Sequence, residues 1–391
     1  MKVAIIAFNH PESSLCLAIN LAKNKCEVDY YFITDIIRSE NKDAGFEFLR
    51  ASRKPGIVEL TVVEIPEIIA YSNGLSIKFH LLRILSFSPK LFFVNKYIFK
   101  YSIGKIKKRN YDAINVIGQH KWVKNIHNFL KDEKIIHTLH EVGHHNDKST
   151  KLDPLLKTLI YSQTKVILPS ISSFNRYVSL NGYAENCAVS IPVGKHETIK
   201  LYEKESDLNL QIKEEHIFLF YGFIQTYKGL DLLAKSVDIL LKLTSNFHII
   251  IAGYGNDPVL SYFEKLPNAT VINRYLNNYE LVYLNKLCTC VVCPYKSASQ
   301  SGIVLTSFIY GKPIIATKVG AFTESIKHGV NGLLVNADSP DEFAKAMELL
   351  IVDRLLLKNL SLGAFNFGND DEYNWDLIAK KTLQFYEFQR K

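Results

Sequence analysis

Short apolar runs alternate with longer stretches of helical periodicity along most of the chain. In the first half these runs are "VAIIAF", "VDYYFI", "GIVELTVVEI", "AINVIG", "KIIHTLH" and "KVILPS". In the second half they are "IFLFYGF", "FHIIIAGYG", "ATVINRY", "CVVCPY", "PIIAT" and "GLLV". Most of them are apolar throughout, which is typical of parallel strands that are covered by helices on both faces. The pattern therefore predicts an α/β chain with two doubly wound, Rossmann-like halves.

A polar stretch, "VGKHETIKLYEKESDLNLQIKEEH", separates the two sets of strands. We place a domain boundary within it and predict three parts, residues 1–195, residues 196–372 and a terminal helix over 373–391. Ligands of doubly wound folds bind at the carboxyl ends of the strands. Two facing sheets would form a cleft there, with loops from both halves.

The net charge of +8 is concentrated in one segment. Residues 68–111 contain no Asp or Glu, and bulky aromatic and aliphatic residues lie between their basic ones. The basic residues are Lys78, Arg83, Lys90, Lys96, Lys100, Lys105, Lys107, Lys108 and Arg109. We interpret the segment as a surface for an anionic membrane. The alternative is two core helices with solvated lysines. Nucleic acid is disfavoured, since no nucleic-acid motif accompanies the charge.

The first residues, "MKVAIIAFNHPE", read as a buried strand and not as a secretory signal. No apolar run approaches the length of a transmembrane helix. Six cysteines lie without the spacing of a disulfide framework, which favours a reducing compartment. We therefore expect a cytoplasmic protein, peripheral on the inner face of a membrane.

The stretch "YGFIQTYKGLDLL" predicts a strand that ends near Gly222 and a helix that opens at Lys228 and Gly229. A lysine beside the unpaired N–H groups of a helix start suits a phosphate. The alternative is an exposed lysine in a turn. Downstream, "AGYGND" has two glycines of a dinucleotide fingerprint without the third, and it reads as a turn at Gly253 that permits close ligand approach.

The loop "SASQSG" is small and neutral. At the start of a helix predicted over residues 300–310, Ser299, Ser301 and Gly302 would leave backbone N–H groups open to an anion. The alternative is an ordinary serine cap.

The stretch "HTLHEVGHHND" contains the letters of the zinc-protease pattern H-E-x-x-H. That chemistry needs both histidines on one helix, whereas a β-type run leads into the motif and Gly143 interrupts it. We predict a strand end at which His140 donates hydrogen bonds or moves protons. Cys290 and Cys293 resemble a CxxC pair, but in a strand they would point to opposite faces, so no metal site is expected.

Taken in order, "YGFIQTYKGLDLL", "IAGYGND", "INRYLNNYELVYLNKL", "VVCPYKSASQSGIVLTSFIYGKPIIAT" and "VGAFTESIKHGVNGLLV" resemble the donor half of a family 4 glycosyltransferase with the GT-B fold. The likeness covers most of residues 216–336, and the first half matches loosely through "TLHEVGHH". The resemblance implies retaining transfer from a nucleotide-diphosphate sugar, with no metal or other cofactor.

Residue by residue, the resemblance implies that Lys228 binds the diphosphate and that His140 faces the donor sugar, which makes these two the catalytic candidates. Residues implied to contact the donor are Gly222, Lys228, Gly253, Arg274, Tyr275, Leu276, Ser299, Gln300, Ser301, Gly302 and Thr306. Candidate acceptor-binding residues are Asn9, His10, His144 and His145. The terminal helix with Trp375 resembles the helix that crosses back to the first domain.

Two positions depart from the family pattern. Ala298 and Thr306 occupy the places of a Glu pair that members often carry, and Phe223 occupies the place of an arginine. The "SQSG" form resembles a branch of the family that lacks the pair. A threonine hydroxyl would then stand where a carboxylate binds two ribose hydroxyls.

We therefore expect a glycosyltransferase that extends a glycan or lipid-linked glycan in the synthesis of a bacterial-type surface polysaccharide. One alternative is another GT-B enzyme, such as a nucleotide-sugar epimerase or a glycogen-type synthase. Another is a non-catalytic protein that binds sugar nucleotides.

Overall fold

The computed structural model divides the chain into two compact units, residues 1–194 with 372–391 and residues 195–371. We call them the first and second units. The structure describes residues 1–8, 10–35, 55–61, 65–85, 88–120, 122–131, 133–140, 142, 154–180, 187–298, 302–369 and 371–387.

The strands of the first unit are β1 Lys2–Ala7, β2 Glu27–Asp35, β3 Gly56–Glu59, β4 Ile77–Ile84, β5 Ala113–Ile117, β6 Ile135–Thr138, β7 Lys165–Leu168 and β8 Ala188–Ser190. Those of the second unit are β9 His216–Tyr221, β10 Phe247–Ala252, β11 Ala269–Ile272, β12 Cys290–Cys293, β13 Ile314–Thr317 and β14 Gly332–Val335.

The helices, in chain order, begin in the first unit with α1 Pro11–Lys23, α2 Pro66–Tyr71, α3 Phe92–Lys107, α4 Val123–Phe129, α5 Pro154–Tyr161 and α6 Ile171–Ser179. The second unit contributes α7 Leu230–Leu240, α8 Leu260–Phe263, α9 Asn278–Leu287, α10 Gly302–Ser307, α11 Phe322–Ser325, α12 Pro340–Val352 and α13 Arg354–Asn366. The terminal helix is α14 Trp375–Glu387.

The first unit is built on one sheet of eight described strands, in the order β3-β4-β2-β1-β5-β6-β7-β8. Its strand pairs are parallel except at the edge, where β3 runs antiparallel to β4. The terminal helix belongs to this unit. It packs beside α1, where the Asn24 amide donates to the Asp376 carboxylate, and the Asn115 amide donates to the Tyr386 hydroxyl at 2.7 Å.

The strand β4 was not predicted from the sequence. Its polar residues Lys78, His80 and Arg83 interrupt the apolar pattern, yet His80 and Arg83 are buried. Eight residues of the acid-free segment thus form an interior strand, and α3 is the long helix of the segment that remains for a surface role. Phe99 and Ile103 on the buried face of α3 pack into the core.

The second unit has one sheet of six described strands in the order β11-β10-β9-β12-β13-β14, with every pair parallel. Strands β9, β10 and β12 are buried along their whole length, as their unbroken apolar sequences predict. The predicted α/β class with two Rossmann-like sheets is confirmed. Within the described ranges, no helix combines the length and the apolar composition that crossing a bilayer requires.

Candidate active site

The strand order of the second unit locates a crevice for a ligand. The order reverses between β9 and β12, because the chain leaves β9 toward one edge and returns at β12 toward the other. In open α/β sheets, ligands bind outside the carboxyl ends of the strands at such a switch point. The segments that follow these two strands begin at Gly222 and Pro294, so both border this crevice.

Lys228 lies in the segment after β9 and is buried, with 7% of its surface exposed. It ends a 3₁₀ turn, Thr226–Lys228, and Gly229 then starts α7 in the left-handed region with φ of 70°. A side chain at Gly229 would clash with the carbonyl oxygen of Pro294, so a glycine is needed where the two segments touch. The alternative of an exposed lysine in a turn is wrong.

The Lys228 ammonium sits beside Gly222. A Cβ atom added at Gly222 would lie 2.9 Å from the Nζ atom, and the Nζ atom lies 5.1 Å from the centre of the Tyr295 ring. In the described part of the chain its ammonium has neither a hydrogen-bond acceptor nor a carboxylate partner. Burial lowers the pKa of Lys228 to about 8. The site is therefore a buried cation that an anion would stabilise.

The two glycines of "AGYG" let this turn pass close to the backbone of the segment after β9. Gly253 has φ of 144°, and a side chain there would clash with the Gly222 carbonyl; one at Gly255 would clash with the Ile224 carbonyl. These clashes explain why both positions are glycine, and the donor contact expected at Gly253 stays a prediction. The close contact holds Gly222 in place beside Lys228.

The segment after β12 leads into α10, which begins at Gly302 and continues as a 3₁₀ turn to Tyr310. Ser299, Gln300 and Ser301 lie outside the described residues. Gly222 also borders this helix, because a Cβ atom there would lie 3.4 Å from Ile303. The structure thus brings Gly222, Lys228 and the first turn of α10 together.

His196 is a residue of this region that the sequence analysis missed. Its ring lies at the start of α10, where the Nδ1 atom is 3.1 Å from the Thr306 hydroxyl, and a Cβ atom on Gly302 would be 3.0 Å from Cε1. His196 and Thr306 are both buried. His196 lies in the polar linking stretch, which gave no sign of a site. Its contact with α10 joins residues that are over a hundred positions apart in the sequence, so only the folded structure reveals it.

Arg274 is bound to Glu280. Its guanidinium donates two hydrogen bonds to that carboxylate, at 2.9 and 2.6 Å, and Glu280 also closes the capping box of α9 with Asn277. The hydrogen bonds from Arg274 hold the pKa of Glu280 below its usual value. Leu276 is buried, whereas Tyr275 is 37% exposed and its ring is accessible to a planar ligand.

In the first unit, the strand order reverses between β1 and β5. His10, which follows β1, stacks on His140 after β6 with ring centres 4.0 Å apart. His140 is buried and lines a small cavity of about 30 Å³, together with Ser13 and Thr138. The predicted Asn9, His144 and His145 lie outside the described residues. His120, after β5, stacks on Phe8 at 5.0 Å and was not anticipated.

All six cysteines are free, and Cys290 and Cys293 lie in β12 as predicted. No cluster of three or more potential metal ligands is found in the described ranges.

Part of the second unit resembles a known family of enzymes. Residues 203–366 match the family model "Glycosyl transferases group 1". An uncharacterized glycosyltransferase of Methanocaldococcus jannaschii, MJ1607, is 27% identical over 184 residues, which is 44% of this chain and 45% of the relative. A D-inositol 3-phosphate glycosyltransferase of Frankia alni is 28% identical over 189 residues, 44% of this chain and 46% of that protein. In both comparisons the match spans about half the length of the curated relative.

Solved structures match the whole chain. Sucrose-phosphate synthase from Thermosynechococcus elongatus has a TM-score of 0.68 at 16% identity and covers 100% of this chain and 99% of its own. HepE of Anabaena, in complex with UDP-glucose, has a TM-score of 0.64 at 15% identity and covers 98% of this chain and 100% of its own. The fold is thus GT-B. The match to the group 1 glycosyltransferase model lies within the second unit.

Proposed function

We propose that this protein is a retaining glycosyltransferase that uses a nucleotide-diphosphate sugar and delivers the sugar to a glycan or lipid-linked glycan. The observation that carries the proposal is the buried ammonium of Lys228 at the switch point of the second sheet. As the donor's glycosidic bond breaks, the diphosphate gains negative charge. A preorganised cation that is already desolvated stabilises this charge more than a hydrated cation would.

The family domain and the curated relatives, which are named as glycosyltransferases, support this chemistry. The complex of HepE with UDP-glucose supports a nucleotide-sugar donor. In our proposal Gly222, Lys228 and the segment into Gly302 hold the diphosphate, while Thr306 with His196 takes the place of the family's carboxylate. Arg274 supports the fold of the donor segment through Glu280.

The test is transfer of radiolabelled sugar from a panel of nucleotide sugars to lipid extracted from bacterial membranes. Lys228→Ala should lower turnover on the order of 10²–10³-fold, because the leaving group loses its main cationic partner. Lys235, an exposed lysine on α7, is the matched control, and Lys235→Ala should behave as the wild type. Donor binding without turnover by any acceptor would favour the non-catalytic alternative, and release of an epimerised sugar would favour an epimerase.

We assign the acceptor to the carboxyl ends of β1, β5 and β6, where His10 and His140 stack. His140 would contact sugar hydroxyls or move the acceptor's proton. His140→Ala should lower transfer strongly and leave the affinity for the nucleoside diphosphate within about twofold of wild type, since Lys228 belongs to the other unit. A parallel loss of diphosphate affinity would contradict this assignment.

We further propose that α3 rests on the anionic, cytoplasmic face of a membrane. Phe93, Tyr97 and Tyr101 follow one another at intervals of four residues, so they share a helix face, and they are 84%, 74% and 60% exposed. Lys96, Lys100 and Lys105 are exposed on the same helix. Exposed aromatic rings interleaved with lysines are the composition of an interfacial helix.

Two basic residues at the end of the acid-free segment form ion pairs within the first unit. Arg109 pairs with the buried Asp29 at 3.0 Å, and Lys107 pairs with Glu133 at 3.5 Å, so both have structural partners. The variant to make is therefore the triple change Lys96→Gln, Lys100→Gln and Lys105→Gln. Each lysine near an anionic surface contributes about 1 kcal/mol, so binding to phosphatidylserine vesicles should weaken roughly 100-fold.

The matched control removes three exposed lysines of the second unit, Lys235, Lys242 and Lys345, by the same change. This control should bind vesicles as the wild type does. If both triple variants lose binding equally, net charge is responsible and the assignment to α3 is wrong.

A further inference from the structure

The cavity beside His140 lies at the carboxyl end of the first sheet. Its wall includes the last residues of β5 and β6, Ile117 and Thr138, and Ile191, which directly follows β8. Residues of the first turn of α1 and of the terminal helix α14 complete the lining. Ligands of doubly wound sheets bind at this edge. With a volume of about 30 Å³, the cavity has room for a small group the size of a water molecule or a methyl group.

Most of the cavity wall is apolar. It includes Leu17 on α1, Ile167 on β7, and Trp375 and Ile378 on α14, and all four side chains are buried. Such side chains make van der Waals contacts with a small apolar group, but they offer no hydrogen bond to water, which needs two to four polar partners to be held in a cavity. The wall therefore suits an apolar group better than a water molecule.

The hydroxyl groups on the wall are already used within the first unit. Each has a hydrogen-bond partner: the His10 carbonyl for Ser13, the Tyr30 hydroxyl for Ser14, the Asn115 amide oxygen for Thr138 and the Ile378 carbonyl for Thr382. A hydroxyl has only one proton to donate, so these groups have little left to offer a polar ligand. Among the described lining residues, His140 is the polar side chain that remains.

Resting on the proposed function, in which an acceptor sugar contacts His140, we infer that the cavity receives a methyl group carried by that sugar. Two kinds of sugar carry one: 6-deoxyhexoses at C6 and N-acetylated hexosamines on the acetamido group. A hydroxymethyl group in the same place would lose hydrogen bonds to water and find few in return. One methyl group in an apolar pocket is typically discriminated by about 10-fold to 200-fold.

The experiment is titration of the full-length protein with matched sugars, followed by saturation-transfer NMR, and it requires neither donor nor turnover. The pairs are D-galactose with 6-deoxy-D-galactose, D-glucose with 6-deoxy-D-glucose, L-mannose with 6-deoxy-L-mannose, and D-glucose with N-acetyl-D-glucosamine. In at least one pair, the methyl-bearing sugar should bind about 10-fold more tightly or better, and its methyl protons should receive the strongest saturation. The pair that responds distinguishes a 6-deoxy sugar from an N-acetylated one.

A variant that fills the cavity tests whether this is where the methyl group binds. Ile378→Phe places a larger side chain in the wall and should abolish the preference for the methyl-bearing sugar. Leu377→Phe is the matched control, because Leu377 is 41% exposed on the same helix and does not line the cavity. If circular dichroism shows that Ile378→Phe does not fold, Ile378→Val takes its place. It removes one methyl group from the wall and should lower the preference about fourfold.

Equal affinities within every pair, or no binding of any sugar, would overturn the inference, as would a methyl preference that is unchanged in the Ile378 variant. In each of these cases, sugar transfer that depends on Lys228 would leave the proposed function standing. A methyl preference that Ile378→Phe removes, in a protein that transfers sugar from no donor, would instead overturn the proposed function and leave the sugar-binding cavity.

Discussion

The buried carboxylate of Asp29 in the first unit and the buried ammonium of Lys228 in the second have opposite surroundings. In the first unit the carboxylate of Asp29, on β2, is met by His80 at 3.1 Å, by Arg109 at 3.0 Å and by the Tyr111 hydroxyl. In the second unit the ammonium of Lys228 meets the face of an aromatic ring. A buried charge with a full set of partners belongs to the architecture, whereas a buried charge without them is a cost that a ligand can remove.

The pKa values of the two groups express the same difference. Burial alone would raise the pKa of Asp29, but the hydrogen bonds from His80, Tyr111 and Arg109 outweigh it and hold the pKa far below its usual range. Burial lowers the pKa of Lys228, and no carboxylate among the described residues opposes it. The ionised Asp29 carboxylate, with its partners, stabilises the folded state. The protonated Lys228 side chain destabilises it. Strongly perturbed groups of the second kind are characteristic of functional sites.

The largest effect on the free energy of unfolding is expected from removing the Asp29 carboxylate. Asp29→Ala removes a buried anion from beside Arg109 and His80 and should lower the free energy of unfolding by about 3–5 kcal/mol. Chemical denaturation measures it. Asp376→Ala is the control, because Asp376 forms an exposed pair with Lys380 and should cost under about 1 kcal/mol. Equal losses in the two variants would show that the Asp29 network contributes no more than a surface pair.

Lys228→Met should change the free energy of unfolding in the opposite direction and raise it. The folded-state pKa of about 8 lies below the unfolded value of 10.5. Below pH 8 both states hold the proton, so the folded protein carries the full cost of the buried ammonium. Between pH 8 and 10.5 the folded state has released its proton and the unfolded state has not, so the stability of the wild type rises with pH.

Replacing the ammonium by an isosteric apolar group should therefore stabilise the ligand-free protein at pH 7 by up to about 3 kcal/mol. The variant should lack the rise in stability above pH 8. Denaturation curves at pH 7 and pH 10 measure both effects. A Lys228→Met protein that is less stable than the wild type at pH 7 would mean that the ammonium has partners in the free protein.

These two sites also show what the sequence can and cannot predict. The sheets were predictable, because strands buried on both faces, such as β9 and β10, are apolar throughout. Strand β4 was missed, because His80 and Arg83 lie in it, and a polar residue is tolerated there only when a distant partner such as Asp29 satisfies it. No local pattern contains that partnership.

The same holds for the candidate site of the second unit. Lys228 was found through its position after a strand, but its burial depends on Tyr295 and Pro294, which arrive with β12. His196 was missed because its linking stretch is polar and reads as a boundary. The close contact between Gly253 and the backbone of Gly222 could not be predicted either, because it joins loops that follow two different strands.

The central claim is that Lys228 is buried and protonated in the ligand-free protein and that its ammonium binds a diphosphate. It is tested most directly by titrating ADP or CDP, whose bases have no proton that dissociates in this range, at pH 7 and pH 9.5. Since the free protein loses the Lys228 proton above about pH 8, the wild type should bind roughly 30-fold more weakly at pH 9.5, with about one proton taken up per nucleotide bound. Lys228→Met should bind weakly and equally at both pH values. Wild-type affinity that does not change with pH, or a Lys228→Met protein that binds as tightly as the wild type at pH 7, would contradict the account.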